Sequence, residues 1–388
     1  MNPLKIQKML VCKYIINCVV LAWMANTPAI AEMSGPFKSS AGPLMVERLA
    51  GPFNHPWAIA FLPKTGSYLV TERKGDLRLV QGEKISGPVE GVPDVWASGQ
   101  GGLMDVALDP NYSQNQRIFL SYSEPIGLTE ARTALATGIL RLNGAKPQLE
   151  KVKVIFRQKP PSSGGRHFGS RIVFSKSGKL FLTLGDRGNR HLVQNLSNHF
   201  GKVIRINRDG SIPKDNPFVG RSDALPDIWS FGHRNPQGAA MRLSDDVYFT
   251  ISHGAAGGDE VNRSQPGKNF GWPEVSYGTH YSGQPFSAAQ RPDVVTPLYY
   301  WDPSIAPSGA AFYDGDLFPA WKGDLFVGAL RDRMIVRVNI SNGRALEVER
   351  LLEDKFGRVR DVRVGPDGAI WFATDDSQGS IYRIISAR

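Results

Sequence analysis

The sequence has almost no cysteine and no apolar run long enough to be a membrane helix. Its 388 residues include 2 cysteines, Cys12 and Cys18, and both lie near the N-terminus. A bilayer-spanning helix takes about 20 apolar residues, so we expect no stable membrane insertion. Acidic residues are outnumbered, at 36 against 46 Lys and Arg, which gives a formal net charge of +10. With 41% hydrophobic and 21% charged residues, the composition excludes an intrinsically disordered chain.

The first 31 residues are typical of a secretory signal peptide. Lys5, Lys8 and Lys13 precede a short apolar run at 14–24, and a small-x-small site ends at Ala31. The apolar run of about eleven residues is too short for an anchor helix, which needs about twenty. We therefore predict cleavage after Ala31 and a periplasmic or secreted protein. Loss of the three lysines takes the formal net charge from +10 to +7, and both cysteines leave with the segment.

The remaining chain shows no sustained 3.6-residue apolar period and instead repeats a β-rich pattern. Each copy has a polar turn followed by an alternating strand, for example at 180–184 or 370–374. Such repetition predicts an all-β propeller over 43–388, preceded by an N-terminal segment at 32–42. A multi-domain β-sandwich protein is the alternative, but no Pro/Ser-rich linker divides the chain. The six copies begin at Phe61, Leu108, Phe174, Leu243, Phe318 and Val364.

The long loops between these repeats hold the residues that can do chemistry. His167 follows a Gly-Gly-Arg turn and precedes a strand, and Asp186 ends the next strand. Strand ends of one hairpin could bring the carboxylate to the imidazole, where it would fix the tautomer and raise the basicity of the ring. The alternative is a loop histidine that only makes a hydrogen bond. The chain has no Gly-x-Ser-x-Gly elbow and no His-Glu-x-x-His motif, so neither a serine hydrolase nor a zinc enzyme is indicated.

Charged residues in other loops indicate two kinds of ligand. The Gly-rich loop at 252–283 contains Asp259 and Glu260, and Ca²⁺ accepts carboxylates and backbone carbonyls on such a framework. An arginine cluster would pair with an anion that carries several carboxylates, although solvated surface charges are the alternative. Basic residues are scattered among acids, so no nucleic-acid partner is indicated. The arginines, each placed on a turn beside a short strand, are Arg234, Arg331, Arg358 and Arg360.

A set of motifs resembles the soluble quinoprotein sugar dehydrogenases, most closely their aldose sugar dehydrogenase branch. The motifs occur in the family's order over roughly residues 43–385, and their combination is specific where each alone is weak. They are "GQGGL", "GGRHFGSR", "GDRG", "GKVIRINRDGSIPKDNP", "GHRNPQG", "GGDE", "NFGWP" and "RVRDV". The resemblance implies a six-bladed β-propeller with four-stranded blades. It also implies pyrroloquinoline quinone (PQQ) across the channel, Ca²⁺, an aldose sugar substrate oxidised at C1 to a lactone, and an external electron acceptor.

The resemblance further implies roles for individual residues around PQQ. His167 matches the proton acceptor and Asp186 its partner. Arg331 stands where the family usually has Lys, which keeps the charge but changes the shape of the contact. The residues that match PQQ-contacting positions are Gln100, Arg234, Asn235, Tyr281, Arg331, Arg358 and Arg360.

Two calcium sites are implied in the same way. The carbonyls of Gly254 and Ala255 match those that hold the cofactor's Ca²⁺, with Ala255 replacing a common Pro. Glu260 and the carbonyl of Phe270 match a separate structural Ca²⁺ site, with Phe270 replacing a common Tyr. Both replacements leave a backbone oxygen available.

Two other functional classes stay open at this point. A Ca²⁺-dependent lactone hydrolase on a propeller would need neither the arginine cluster nor the "GHRNPQG" motif, and its activity would be independent of PQQ. A non-catalytic propeller that binds a sugar or an envelope partner would show no quinone absorption and no turnover of any aldose.

Overall fold

The computed structural model describes residues 32–286, 288 and 290–387. The predicted signal peptide, residues 1–31, lies outside the described residues. Within them the fold is nearly all strand: the helices are α1 (Tyr112–Asn115) and two single 3₁₀ turns, Arg190–Leu192 and Pro319–Trp321. None of these is long and apolar enough to cross a membrane.

The strands of the described residues form six antiparallel sheets, one for each blade of a propeller. Blade 1 consists of β3 (Pro56–Phe61), β4 (Tyr68–Glu72), β5 (Leu77–Gln81) and β6 (Lys84–Pro88). Blade 2 consists of β7 (Leu103–Leu108), β8 (Arg117–Ile126), β9 (Glu130–Arg141) and β10 (Gln148–Arg157), with the short β11 (Ser162–Ser163) paired to β9. Blade 3 consists of β12 (Ile172–Phe174), β13 (Leu180–Thr183), β14 (Lys202–Ile206) and β15 (Ile228–Phe231).

Blades 4 to 6 follow the same order from the inner to the outer strand. Blade 4 consists of β16 (Asn235–Arg242), β17 (Val247–His253), β18 (Asp259–Arg263) and β19 (Tyr299–Trp301). Blade 5 consists of β20 (Pro307–Phe312), β21 (Leu325–Ala329), β22 (Met334–Ser341) and β23 (Arg344–Leu351). Blade 6 consists of β24 (Val359–Val364), β25 (Ile370–Thr374), β26 (Gly379–Ser386) and β2 (Leu44–Phe53), with β1 (Met33–Phe37) paired to the outer edge of β2.

The predicted six-bladed propeller with four-stranded blades is thus confirmed. Each of the six sequence repeats falls in a different blade, and the strand predicted at 370–374 has the same bounds as β25. Middle strands such as β4, β13 and β25 are buried along their whole length, because both of their faces pack against neighbouring blades. The outer strand β23 instead alternates between exposed and partly buried residues, as expected for a strand with one solvated face.

The ring is closed by β2, the second strand of the described chain. β2 pairs antiparallel with β26, from Leu44 opposite Ser386 to Phe53 opposite Gly379. The six inner strands β3, β7, β12, β16, β20 and β24 contact one another in sequence around a central channel. We call the end of this channel where the inner strands begin the mouth.

Bulges occur at the mouth end of five inner strands, β3, β7, β16, β20 and β24. The register shifts leave Trp57 of β3, Gln237 of β16 and Arg360 of β24 without a cross-strand partner, which is the geometry of a β-bulge. The three side chains meet: Nη1 of Arg360 donates to Oε1 of Gln237 at 2.6 Å, and the Arg360 guanidinium lies 6.0 Å from the Trp57 ring. The prediction that Arg360 lies on a turn is therefore wrong, because the bulge places it inside β24.

An ion network of buried side chains crosses the channel one step below the mouth. Nη1 of Arg171 lies 3.2 Å from Asp105 and 2.9 Å from Asp361, which belong to different blades. Arg363 bonds the same two carboxylates at 2.8 Å each. Nε of Arg171 also donates to the Gln237 carbonyl at 3.2 Å, which joins this network to the bulged residues at the mouth.

Candidate functional site

The imidazole of His167 and the carboxylate of Asp186 meet at the mouth. Nδ1 of His167 lies 2.7 Å from Oδ1 of Asp186. The carboxylate is buried and accepts two further hydrogen bonds, from the Gly188 amide at 2.7 Å and from Nε1 of Trp272 at 2.8 Å. Since an ionised carboxylate only accepts, Nδ1 carries the proton in neutral His167 and Nε2 keeps its lone pair.

The pKa values of both groups in this pair lie below their ordinary values, for different reasons. Burial lowers the pKa of His167 below its ordinary value, although the hydrogen bond to Asp186 opposes the shift. Burial acts to raise the pKa of Asp186, but the hydrogen bonds from His167 and Gly188 and the nearby charge of Arg234 hold that pKa below its usual range. At neutral pH the pair is therefore a neutral imidazole oriented by a carboxylate, which is the arrangement of a general base.

Close backbone contacts fix the two loops that carry this pair. A Cβ atom on Gly185 would lie 2.0 Å from the His167 carbonyl oxygen, so only glycine allows the loops to approach. Gln100 links a third loop to His167. Its side-chain Oε1 accepts a hydrogen bond from the His167 backbone amide at 2.7 Å, and its backbone amide donates to the Gly165 carbonyl at 2.6 Å. The Gln100 side chain thus lies beside the backbone of His167.

Arg234, Asn235 and Tyr281 stand next to the pair. The Asp186 amide donates to the Arg234 carbonyl at 2.8 Å, and Nη2 of Arg234 donates to the Tyr281 hydroxyl at 3.0 Å. Tyr281 is 79% exposed at the mouth, while Arg234 and Asn235 are buried. Within the described residues, Nε of Arg234 and Nδ2 of Asn235 have no hydrogen-bond partner. Buried donors of this kind are costly unless an acceptor reaches them.

The other three arginines lie on the side of blades 5 and 6. Arg360 is buried and paired with Asp375, while the largely exposed Arg358 donates to the Leu330 carbonyl at 3.2 Å and lies 3.5 Å from Asp375. Arg331 is exposed and donates to the Ser304 carbonyl at 2.8 Å. The hydrogen bond from Arg360 to Gln237 links this group to β16, the strand that begins at Asn235.

The backbone around Gly254 and Ala255 is closely packed. The Gly254 amide donates to Asp259 at 2.8 Å, and the Ala255 carbonyl accepts the Thr279 amide at 2.9 Å. A Cβ on Gly278 would lie 2.2 Å from the Ala255 oxygen and 2.3 Å from the Gly257 oxygen. Carbonyl oxygens therefore converge in this loop, and the Ala255 oxygen keeps one lone pair. Among the described residues no cluster of three His, Cys, Asp or Glu side chains could hold a metal, so a cation here would depend on these carbonyls.

Glu260 is a partly buried residue of β18 in blade 4. Burial raises the pKa of Glu260 to about 7, and its one described side-chain donor is Nδ2 of Asn262 at 2.8 Å. In the described chain, Oδ1 of Asn262 and Oγ1 of Thr250 have no partner, and these residues face each other across β17 and β18. The described contacts of Phe270 run elsewhere, from its amide to the Phe231 carbonyl and from its ring to His233.

The sequence interpretation missed four residues of this site. Trp272 holds Asp186, Arg187 packs under the His167 loop, and Asp375 joins Arg358 and Arg360 to His55, whose Nδ1 lies 2.8 Å away. Asp375 follows the second strand of its blade, as Asp186 does. Because second strands end at the mouth, this shared position was a signal for Asp375. Arg187 and Trp272 had a different signal, since they lie inside the motifs "GDRG" and "NFGWP".

Known proteins resemble the chain over most of its length. Aldose sugar dehydrogenase YliI of Escherichia coli (strain K12) is 44% identical over 343 residues, 87% of this chain and 92% of that protein. The apo-form crystal structure of the soluble aldose sugar dehydrogenase from Escherichia coli has a TM-score of 0.85 at 43% identity and covers 89% of this chain and 100% of its own. The PQQ-bound aldose sugar dehydrogenase from Streptomyces coelicolor has a TM-score of 0.72 at 26% identity, with 92% and 99% covered. The Glucose / Sorbosone dehydrogenase family matches residues 53–383, and the chain belongs to this family of oxidoreductases.

Proposed function

We propose that this protein is an aldose sugar dehydrogenase that uses PQQ and Ca²⁺ to oxidise the C1 hydroxyl of aldose sugars to lactones. The observation that carries the proposal is the His167–Asp186 pair, with Nδ1 and Oδ1 2.7 Å apart, set in a mouth rimmed by arginines. A base of this kind suits the removal of a hydroxyl proton, and the positive rim suits an anionic cofactor.

The residues of the mouth fit PQQ, which carries three carboxylates. Buried, unpartnered donors on Arg234 and Asn235 would gain acceptors from it. Arg331 and Arg358, with side chains 59% and 49% exposed, are available to pair with its carboxylates. Gln100 and Tyr281 would contribute neutral contacts at the same rim, and Arg360 would add charge from below.

Calcium is proposed at two places. The Gly254 and Ala255 carbonyls would hold the ion beside the cofactor, since Ca²⁺ takes backbone oxygens at flexible loops. Glu260 would hold a second, structural ion, because a partly buried carboxylate near the unpartnered oxygens of Asn262 and of its cross-strand neighbour Thr250 favours a cation. Phe270 is retained as its proposed backbone ligand.

The side chains of the mouth would have different roles in the proposed reaction. When bound, PQQ supplies the two-electron acceptor and Ca²⁺ polarises it. Oxidation at C1 removes a hydride and the hydroxyl proton, and Nε2 of His167 accepts that proton. Asp186 holds the ring and stabilises the imidazolium that forms. The arginines stabilise negative charge that develops at the bound cofactor. An external acceptor, a quinone or a cytochrome, would then take up the electrons.

The decisive experiment adds PQQ and Ca²⁺ to the purified protein and screens aldoses with an artificial electron acceptor. We expect dye reduction that needs PQQ, Ca²⁺ and a sugar together. Lactone hydrolysis without PQQ would favour the lactone hydrolase, and sugar binding without turnover would favour the non-catalytic propeller. Either of these results would overturn the proposal.

We further propose export of the protein after cleavage behind Ala31. N-terminal sequencing of the protein from a secretion-competent bacterial host tests this directly. Glu32 is the expected first residue of the periplasmic or secreted fraction, and an intact Met1 in that fraction would contradict it.

A further inference from the structure

Arg187 directly follows Asp186 and its guanidinium is buried without a carboxylate partner among the described residues. The residue is 2% exposed. Its side chain donates to the backbone carbonyls of Gly164 at 2.8 Å, Arg166 at 3.3 Å and Ser162 at 3.4 Å. The guanidinium carbon also lies 3.5 Å from the centre of the Phe168 ring. Burial lowers the pKa of Arg187 to about 10, so the group remains charged at neutral pH.

All of these contacts are made to one loop, residues 162–168, which ends at His167 and Phe168. Within this loop, only the first two residues, Ser162 and Ser163 of β11, pair with a neighbouring strand, β9. Gly164 and Gly165 follow, and glycine has the greatest backbone freedom of any residue. A planar guanidinium can donate to several carbonyls while its face stacks on an aromatic ring; a lysine ammonium can also donate to carbonyls, as Lys202 does, but it has no planar face to stack.

We propose that Arg187 is a positioning residue that holds the 162–168 loop and thereby the imidazole of His167. Asp186 orients the ring from one side, while the adjacent Arg187 holds the backbone from which the ring projects. One short segment after β13 thus fixes both the side chain and the main chain of the base. The catalytic part of this inference rests on the proposed function of His167, whereas the loop contacts do not.

Arg205 of β14 provides a matched control. It is 9% exposed, its guanidinium lies 5.0 Å from the Trp229 ring, and it bonds Asn216 at 3.1 Å and Asp215 at 2.9 Å. Replacing it by lysine removes a buried, stacked arginine of similar kind, but none of its described contacts involves the 162–168 loop.

The test compares Arg187→Lys and Arg205→Lys by amide hydrogen exchange of the purified protein and by kinetics after addition of PQQ and Ca²⁺. For Arg187→Lys we expect exchange in 162–168 to rise at least about tenfold. We expect kcat to fall about 10- to 100-fold, since a small misplacement of a catalytic group has that effect, with KM for the sugar within about threefold. Arg205→Lys is expected to change Tm without either effect.

Unchanged exchange in 162–168 for Arg187→Lys would overturn the inference, and so would an equal loss of kcat in both variants. If the wild-type protein oxidises no aldose, the proposed function fails instead, and the exchange result alone then decides whether Arg187 holds the loop.

Discussion

At the scale of single residues, the site depends on a few hydrogen bonds to one carboxylate. Asp186 receives three donors, from His167, Gly188 and Trp272. These donors keep it ionised, and the ionised carboxylate selects the His167 tautomer that exposes the Nε2 lone pair. Catalysis by such a base depends on the orientation and tautomer of the ring as much as on its presence.

Replacing Asp186 by asparagine tests this dependence. An amide in place of the carboxylate no longer enforces the tautomer, so we expect kcat of the PQQ- and Ca²⁺-loaded protein to fall about 10²- to 10⁴-fold. PQQ binding to the variant is expected to stay within about threefold of wild type. The exposed Asp223→Asn serves as control, and a kcat for Asp186→Asn close to that of this control would contradict the assignment.

The pH dependence of kcat/KM follows from the lowered pKa of His167. The proposed base, His167, acts in its neutral form and its pKa lies below the ordinary value of 6.5, so we expect activity to be retained at neutral pH. It is lost only as the pH falls below that value and the ring gains a proton. A pH profile of kcat/KM checks this, and an acid limb centred above pH 7 would be inconsistent with the geometry of the pair.

At the scale of strands, bulges and glycines decide how the inner strands meet. The alternating pattern predicts the strands, but it does not show that β3, β16 and β24 bulge at the mouth and turn Trp57, Gln237 and Arg360 together. Glycines inside strands mark further close approaches. Gly309 of β20 packs so tightly on β24 that a Cβ would lie 2.2 Å from Oδ1 of Asp361.

Gly309→Ala is therefore expected to destabilise the protein, whereas Gly87→Ala in β6 is not. Both glycines lie in strands, but a Cβ on Gly87 would meet nothing within 4 Å. Overpacking of this kind costs about 1–3 kcal/mol. Thermal unfolding of the two variants beside wild type gives the comparison, and equal Tm values for both would refute the packing argument.

At the scale of the whole molecule, ring closure and the channel network join blades that are distant in sequence. β2 completes blade 6 beside β26, and the Arg171 network ties blades 2, 3 and 6 across the channel. Burying these charges carries a large desolvation cost, which the ion pairs offset; within the described residues, Nη2 of Arg171 still has no hydrogen-bond partner.

Removing Arg171 alone should therefore be costly. Arg171→Met leaves Asp105 and Asp361 buried with Arg363 as their remaining described cation. We expect a loss of about 3–5 kcal/mol in the free energy of unfolding, measured by denaturant titration. The exposed pair of Arg221 and Asp223 offers a control, since Arg221→Met should leave stability unchanged. A small effect at Arg171 would mean that the network is not needed for stability.

The sequence by itself determined the residue types and the local periodicities of this protein. A β-rich run bounded by polar turns is a local property, so β25 could be predicted to the residue, and β13 to within one residue of its predicted end. The motifs sufficed to indicate the family, and the proximity of His167 to Asp186 could be predicted because one hairpin carries both.

Only the tertiary structure decided which distant groups share the mouth. Trp272 reaches Asp186 across 86 residues, and Arg360 reaches Gln237 across 123. Neither contact has a local pattern, because each depends on how the blades close into a ring. Arg360 was misplaced on a turn for the same reason: a bulge is an irregularity of pairing between strands, and it becomes visible only when the register of both strands is known.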